Sequence, residues 1–216
     1  RQTYDPNGTD SEFSNALDAT TGFAHTIIDV RGNGGGVVSE CKAVADELIG
    51  GGVLYIDHKK DKGAFYDEII SATAGGKGVG REYSILMDDG TASCAEILVI
   101  AMIKNMTVTT YGDTTHGKGI GQSVIELEES RRGVLYVTSL EFRGNDGTIY
   151  HKIGIPPDVA VAKGDDALYV AITEHGNGMP YTTKRSMSQV LAKDFLPTLW
   201  ESPQEGQEEL FLILDE

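Results

Sequence analysis

A mixed α/β domain is the fold class predicted for this 216-residue chain. Short apolar, β-branched runs end abruptly in glycine-rich or polar turns, and helical apolar spacing resumes at once after two of them. The second half adds strand-like runs separated by turn residues, the mark of meander strands following strand-loop-helix units.

The elements follow in order. Residues Arg1 to Thr9 read as irregular, and 11–18 as a short helix capped by Asp10 or Ser11 with Phe13, Ala16 and Leu17 inward. His25 to Val30 is a buried strand that runs into Arg31-Gly-Asn-Gly-Gly-Gly36. A helix then carries Val37, Cys41, Val44, Ala45 and Leu48 on one face, and Gly50-Gly-Gly52 stops it. Val53 to Asp57 and Phe65 to Ile70 read as strands around the polar tract 58–63, and glycines 75, 76, 78 and 80 as a mobile loop. Tyr83 to Met87 is a buried strand, followed after Asp88 to Ser93 by a helix over 94–104 that is apolar nearly all round and therefore interior. Thr107 to Tyr111, Val124 to Leu127 and Val134 to Phe142 are further strands, the last two joined at Arg131-Arg-Gly133. Asn145-Asp-Gly147 predicts a hairpin into 148–153. Helices are expected over 165–175 and 187–196, and Leu210 to Leu214 of the acidic tail as a docking strand.

Composition excludes several functions. Acidic residues number 33 against 18 basic ones, a net charge of -15 with no basic run, which argues against nucleic acid and anionic membranes as partners. The longest apolar run, Ile97 to Ile103, falls far short of the ~20 residues of a membrane span. The chain begins at Arg1 without an initiator methionine or a leader, as expected of a fragment, a processed form or part of something longer. Cys41 and Cys94 form no metal-binding spacing and no disulfide framework, so both are expected to be free.

Three segments could carry chemistry. Ser93 lies where a buried strand meets the first turn of a buried helix, so free N–H groups and the positive dipole end favour negative charge there. Ser93-Cys-Ala-Glu96 reads equally as a capping box. Gly112 to Gly119 approaches the phosphate-loop pattern but has Gly119 in place of the metal-binding hydroxyl and leads into a strand, which excludes nucleotide binding. What remains is Lys118 hemmed by two glycines. Gly34-Gly-Gly36 can aim backbone N–H groups into a cleft, as an oxyanion hole requires, or simply form a turn. The histidines at 25, 58, 116, 151 and 175 offer a Ser/His/Asp alternative, but no GxSxG elbow or ordered triad accompanies them.

Taken together, these segments resemble the C-terminal processing peptidases, or tail-specific serine proteases. Ile27-Ile-Asp-Val-Arg-Gly-Asn-Gly-Gly-Gly36 resembles the family's D-L-R-x-N-x-G-G segment, and Gly90-Thr-Ala-Ser-Cys-Ala-Glu96 its G-S-A-S-A-S-E segment. Gly117-Lys-Gly-Ile-Gly-Gln122 is similar to G-K-G-x-x-Q, Gly154-Ile-Pro-Pro-Asp158 to G-I-x-P-D, and the 25 positions from Ser93 to Lys118 match the family's serine-to-lysine spacing. Thr91, Cys94, Ala95 and Gly34 depart from the commoner residues without removing a reacting side chain.

The resemblance implies a Clp protease/crotonase-like spiral core of repeated ββα units with additional β-hairpins. Residues 24–176 would form the protease core, 1–23 an N-terminal segment left from an upstream region, and 177–216 a C-terminal helix and acidic tail on or near it. It further implies a serine endopeptidase with Ser93 as nucleophile, Lys118 as base and Gln122 orienting the lysine. Backbone N–H groups of Gly36, or with less support Gly35, and of Cys94 would form the oxyanion hole. No cofactor or metal is implied. The substrates would be C-terminal segments of proteins, homo-oligomers are allowed for, and the location would be exported, periplasmic or otherwise extracytoplasmic. No PDZ-like tail-binding module is found. For Lys118 to act as base its pKa must fall from ~10.4 toward 7 to 8, which requires local desolvation to overcome the acidic chain. The competing readings are a non-catalytic module that binds apolar ligands or peptides on the same fold, and a crotonase-like acyl-CoA enzyme.

Overall fold

A computed structural model describes residues 8–127 and 133–175. The expected helix over 187–196, the tail strand 210–214 and the segments 1–7 and 177–216 lie outside the described residues.

Among the described residues twelve elements follow one another as expected for an α/β chain: α1 (Thr9–Ala19), β1 (His25–Asp29), α2 (Val38–Leu48), β2 (Val53–Asp61), β3 (Ala64–Ser71), β4 (Glu82–Met87), α3 (Cys94–Asn105), β5 (Val108–Gly112), β6 (Ile120–Glu126), β7 (Val134–Arg143), β8 (Val159–Ala160) and α4 (Ala167–His175). They build a parallel sheet of order β1-β4-β5-β8 and an antiparallel sheet of order β3-β2-β7-β6.

Side-chain alternation explains the layers. Along β1 and β4, Ile28 and Ile85 face the large core formed with α1, α2 and α3, whereas Ile27 and Leu86 face a smaller cluster with Tyr111 and the α4 residues Ala167, Leu168, Ala171 and Ile172. Helices therefore cover both faces of the parallel sheet. α3 has nine consecutive buried residues, Cys94 to Met102, which fixes it between that sheet and β2 of the antiparallel one, as its all-round apolar sequence predicts. The parallel arrangement brings the carboxyl ends of β1, β4 and β5 to one edge, so the loops after Asp29, Met87 and Gly112 meet there.

Three local expectations are corrected. The tract 58–61, read as polar loop, continues β2, and the turn is Lys62-Gly63, both at positive φ (46° and 88°) as a two-residue type I′ hairpin requires. Two of its side chains find partners across the strands: His58 bonds Asp67 at 2.6 Å and Lys59 pairs with Glu68. The 72–80 loop is anchored, not mobile, because Glu47 accepts the Lys77 N–H through its side chain and the Gly78 N–H through its backbone, both at 2.8 Å. The hairpin after Asn145 amounts to one bridge, Arg143 to Ile149. Residues beyond it bond the Lys118 loop instead, Lys152 N–H to Gly117 O at 2.8 Å, so no strand propagates. The short β8 went unread because two residues carry no periodicity.

Candidate active site

Ser93 ends the loop after β4 and is the N-cap of α3, with φ 56° and ψ -118°. A residue with a Cβ rarely adopts this conformation, which costs of order 1 to 3 kcal/mol and recurs where a strand turns sharply into a helix beneath a nucleophile. A strained strand-to-helix elbow is thus present at Ser93 without the GxSxG pattern.

The glycine loop packs directly on it. Gly35 is buried with φ 94°, and a Cβ there would lie 2.7 Å from Ala92 O and 2.8 Å from both Cys94 N and Ser93 Cβ. Glycine is required on both counts. Hydrogen bonds lock the approach: Ala92 N–H to Asn33 O at 2.9 Å, Thr91 Oγ1 to Val30 O at 2.7 Å, and Gly32 N–H to Asp88 Oδ1 at 2.8 Å. The Gly35 N–H is spent on Asn33 Oδ1 at 3.0 Å, whereas Gly36 is exposed. Arg31 of the same segment is structural. It pairs with Asp29 at 2.6 Å and with Asp166, just before α4, at 3.1 Å; despite burial, these carboxylates raise its pKa above the ordinary guanidinium value.

Glu96 joins the two halves of the site. This carboxylate is fully buried, and four donors converge on it. Its Oε2 accepts the N–H groups of Ser93 at 2.9 Å and Lys118 at 2.7 Å, and its Oε1 accepts Thr115 Oγ1 at 2.5 Å and the Gly117 N–H at 2.7 Å. Two backbone amides on one oxygen set the serine and lysine loops side by side. Thr115 is held in turn by the Gly154-to-Asp158 segment: Ile155 N–H donates to Thr115 Oγ1 at 2.8 Å, and Thr115 N–H to Ile155 O at 3.1 Å. Asp158 fixes that segment to β5 through Thr110 Oγ1 and N–H, each at 2.9 Å. Below the lysine loop, burial and the nearby Glu96 push the Tyr150 phenol well above its usual pKa.

The structure departs from expectation at two places. Lys118 and Gln122, the latter on β6, are both exposed, so the desolvated environment expected around the lysine is not formed by the described residues. Cys41 and Cys94, expected free, form a disulfide. The helices α2 and α3 pack side by side and bring the two buried Cα atoms to 5.9 Å, within bridging range, although nothing in a 53-residue separation signals it.

Fold and site together define a serine-peptidase-type α/β core, with a strained serine at a helix start, glycine amides beside it and a lysine loop docked through a buried carboxylate. The sequence profile of peptidase family S41 matches residues 3–161, and the chain belongs to that family. It is 30% identical over 155 residues to the carboxy-terminal processing protease CtpA of Bacillus subtilis, covering 70% of this chain and 32% of that protein. A CtpA-like serine protease of Staphylococcus epidermidis is 31% identical over 144 residues, covering 65% of this chain and 28% of the relative. The chain therefore spans about a third or less of the curated relatives it matches. Among solved structures, the photosystem II D1 C-terminal processing protease superposes with a TM-score of 0.64 at 29% identity, over 74% of this chain and 40% of that one. A lipoprotein of Streptococcus agalactiae shares the fold, with a TM-score of 0.60 at 18% identity over 75% of this chain and 57% of that one. The expected Clp protease-like spiral fold is borne out.

Sequence reasoning passed over Glu96, Thr115, Asp88 and Asp158 as functional parts. Glu96 and Asp158 lay inside the motifs quoted for the family, and a carboxylate three residues into an otherwise apolar buried helix was the available signal.

Proposed function

We propose that the chain is the catalytic core of a serine endopeptidase that cleaves proteins near their C-termini, with Ser93 as nucleophile and Lys118 as general base. The observation that carries this reading is that one buried carboxylate, that of Glu96, bonds the backbone of both residues while Ser93 holds an elbow backbone. In the reaction Ser93 Oγ passes its proton to Lys118 Nζ and attacks the scissile carbonyl carbon. The carbonyl oxygen gains negative charge and is met by the N–H groups of Gly36 and Cys94. Collapse expels the amine, which takes the proton from Lys118, and water then hydrolyses the acyl-enzyme by the same path in reverse. Gln122 orients the amine without adding a counter-charge. Because Lys118 is exposed in the chain alone, the bound substrate or further parts of the protein supply the cover that lets it act while neutral. No helix among the described residues is long and apolar enough to cross a membrane. The disulfide fits an oxidising, extracytoplasmic compartment.

A fluorophosphonate should label Ser93, mapped by peptide mass spectrometry. Lys118→Arg, which keeps the charge and cannot deprotonate, should abolish peptide turnover. Labelling elsewhere, or full turnover by Lys118→Arg, would refute the assignment. A non-catalytic binding module would have no use for the strained Ser93 backbone.

A further inference from the structure

We propose that the Cys41–Cys94 disulfide is a positioning crosslink for the reaction centre, so that turnover requires the oxidised chain. The proposal rests on the reading of Ser93 as nucleophile. Cys94 directly follows Ser93 and contributes an amide to the oxyanion hole, and Cys41 lies in the first turns of α2, five residues after Gly36, the other donor. The loop that the bond closes, residues 41 to 94, includes the Cys94 amide, and the bond ties that residue to the start of the helix that follows Gly36. Ala92 and Thr91 donate to residues 33 and 30 and Asp88 accepts from Gly32, which holds residues 30–33 on the near side of the glycines. The disulfide holds the far side.

Both cysteines are fully buried, with 0% exposure, in the cluster that contains Val44, Ala45, Ala95 and Leu98. A dithiol reductant breaks the bond by thiolate attack on one sulfur. The other sulfur leaves as thiolate and takes a proton, and the second thiol of the reductant resolves the mixed disulfide. Two electrons and two protons thus pass to the chain, and the reductant ends as a cyclic disulfide. The freed sulfurs cannot stay at bonding distance, ~2.05 Å, and separate toward the roughly 3.5 to 4 Å of a non-bonded pair. In a close-packed core that displacement is passed to the starts of α2 and α3. A displacement near 1 Å in a reacting geometry costs on the order of 10²-fold in rate. Substrate contacts away from these helix starts are unaffected, so the loss falls on kcat.

The test uses the intact natural protein. Thiols are counted by alkylation of the aerobically purified, denatured protein, and kcat, KM and the rate of fluorophosphonate labelling are measured oxidised, reduced with dithiothreitol during refolding, and reoxidised. Expected are no alkylatable thiol at either position before reduction, and on reduction a loss of roughly 10-fold or more in both kcat and labelling rate with KM within about twofold. Far-UV circular dichroism should stay unchanged and reoxidation should restore the rate. Cys41→Ala should match the reduced form and respond no further to reductant; where it fails to fold, the reduced natural protein decides. Two free thiols in the purified protein, or a reduced form that turns over at the oxidised rate, overturn the proposal. Absence of labelling at Ser93 in either redox form overturns the protease reading beneath it.

Discussion

Glu96→Gln is the substitution that probes how the two loops are joined. The amide keeps the shape of the side chain, but one acceptor oxygen becomes a donor. If the NH2 takes the Oε2 position, the Ser93 and Lys118 N–H groups both lose their acceptor. If it takes the Oε1 position, Thr115 can turn its hydroxyl to accept, and only the Gly117 N–H is stranded. The second arrangement costs less. One buried unpaired N–H costs about 1 to 3 kcal/mol, and the three surviving bonds drop from charge-assisted to neutral strength, for a total of roughly 3 to 5 kcal/mol. For a domain of this size the melting temperature should fall by about 10 °C. The lysine loop also loses its register against Ser93, so kcat should fall on the order of 10²-fold with little change in KM. Differential scanning fluorimetry and peptide turnover measure the two effects, and amide hydrogen exchange should rise at Gly117. An unchanged melting temperature together with turnover within twofold would refute the claim that Glu96 sets the geometry.

The glycine loop separates two adjacent positions. Gly35→Ala should destabilise by roughly 2 to 4 kcal/mol and abolish labelling of Ser93, because its Cβ meets backbone at 2.7 Å at positive φ, whereas Gly34→Ala, with nothing within 4 Å, should be near neutral; equal effects in urea titrations would contradict this. His25 is lowered to about pKa 4, by burial first and by His175 second, against a raising effect of Glu82. The unfolded chain takes up that proton near 6.5 and the folded chain only near 4, so up to ~3 kcal/mol present above pH 6.5 is lost as pH falls to 4. Urea midpoints should drop across that window and flatten in His25→Gln; a flat wild-type profile would refute it. Ser93→Ala should kill turnover with the melting temperature nearly unchanged, while Ser93→Gly should kill it and raise the melting temperature by a few degrees through relief of the positive φ.

The layering of the fold was legible because periodicity reports burial. Cys41, Val44, Ala45 and Leu48 at helical spacing and the continuously apolar α3 were both found where expected. Charge misled at 58–61, where polar residues that satisfy one another across a hairpin look like a loop. In the proposed site, Ser93 and Lys118 were singled out by type and spacing, and one carboxylate bonds the backbone of both. Their supports were not, since the meeting of Glu96 with the Thr115-to-Lys118 loop and of Cys41 with Cys94 depends on three-dimensional packing that no local pattern encodes. The exposure of Lys118 is of the same kind, set by what stands above the loop and not by the loop itself.

The backbone of Ser93 has a bearing on how this gene can drift. At φ 56° and ψ -118° the backbone conformation taken alone favours glycine. The positive φ therefore favours glycine at position 93, while the chemistry proposed for Ser93 favours the hydroxyl, which also forms a capping box with Glu96 at the start of α3. A lineage that stopped cleaving would shed this serine early, well before the hydrophobic pattern of α3 or the strand order of the sheets began to erode.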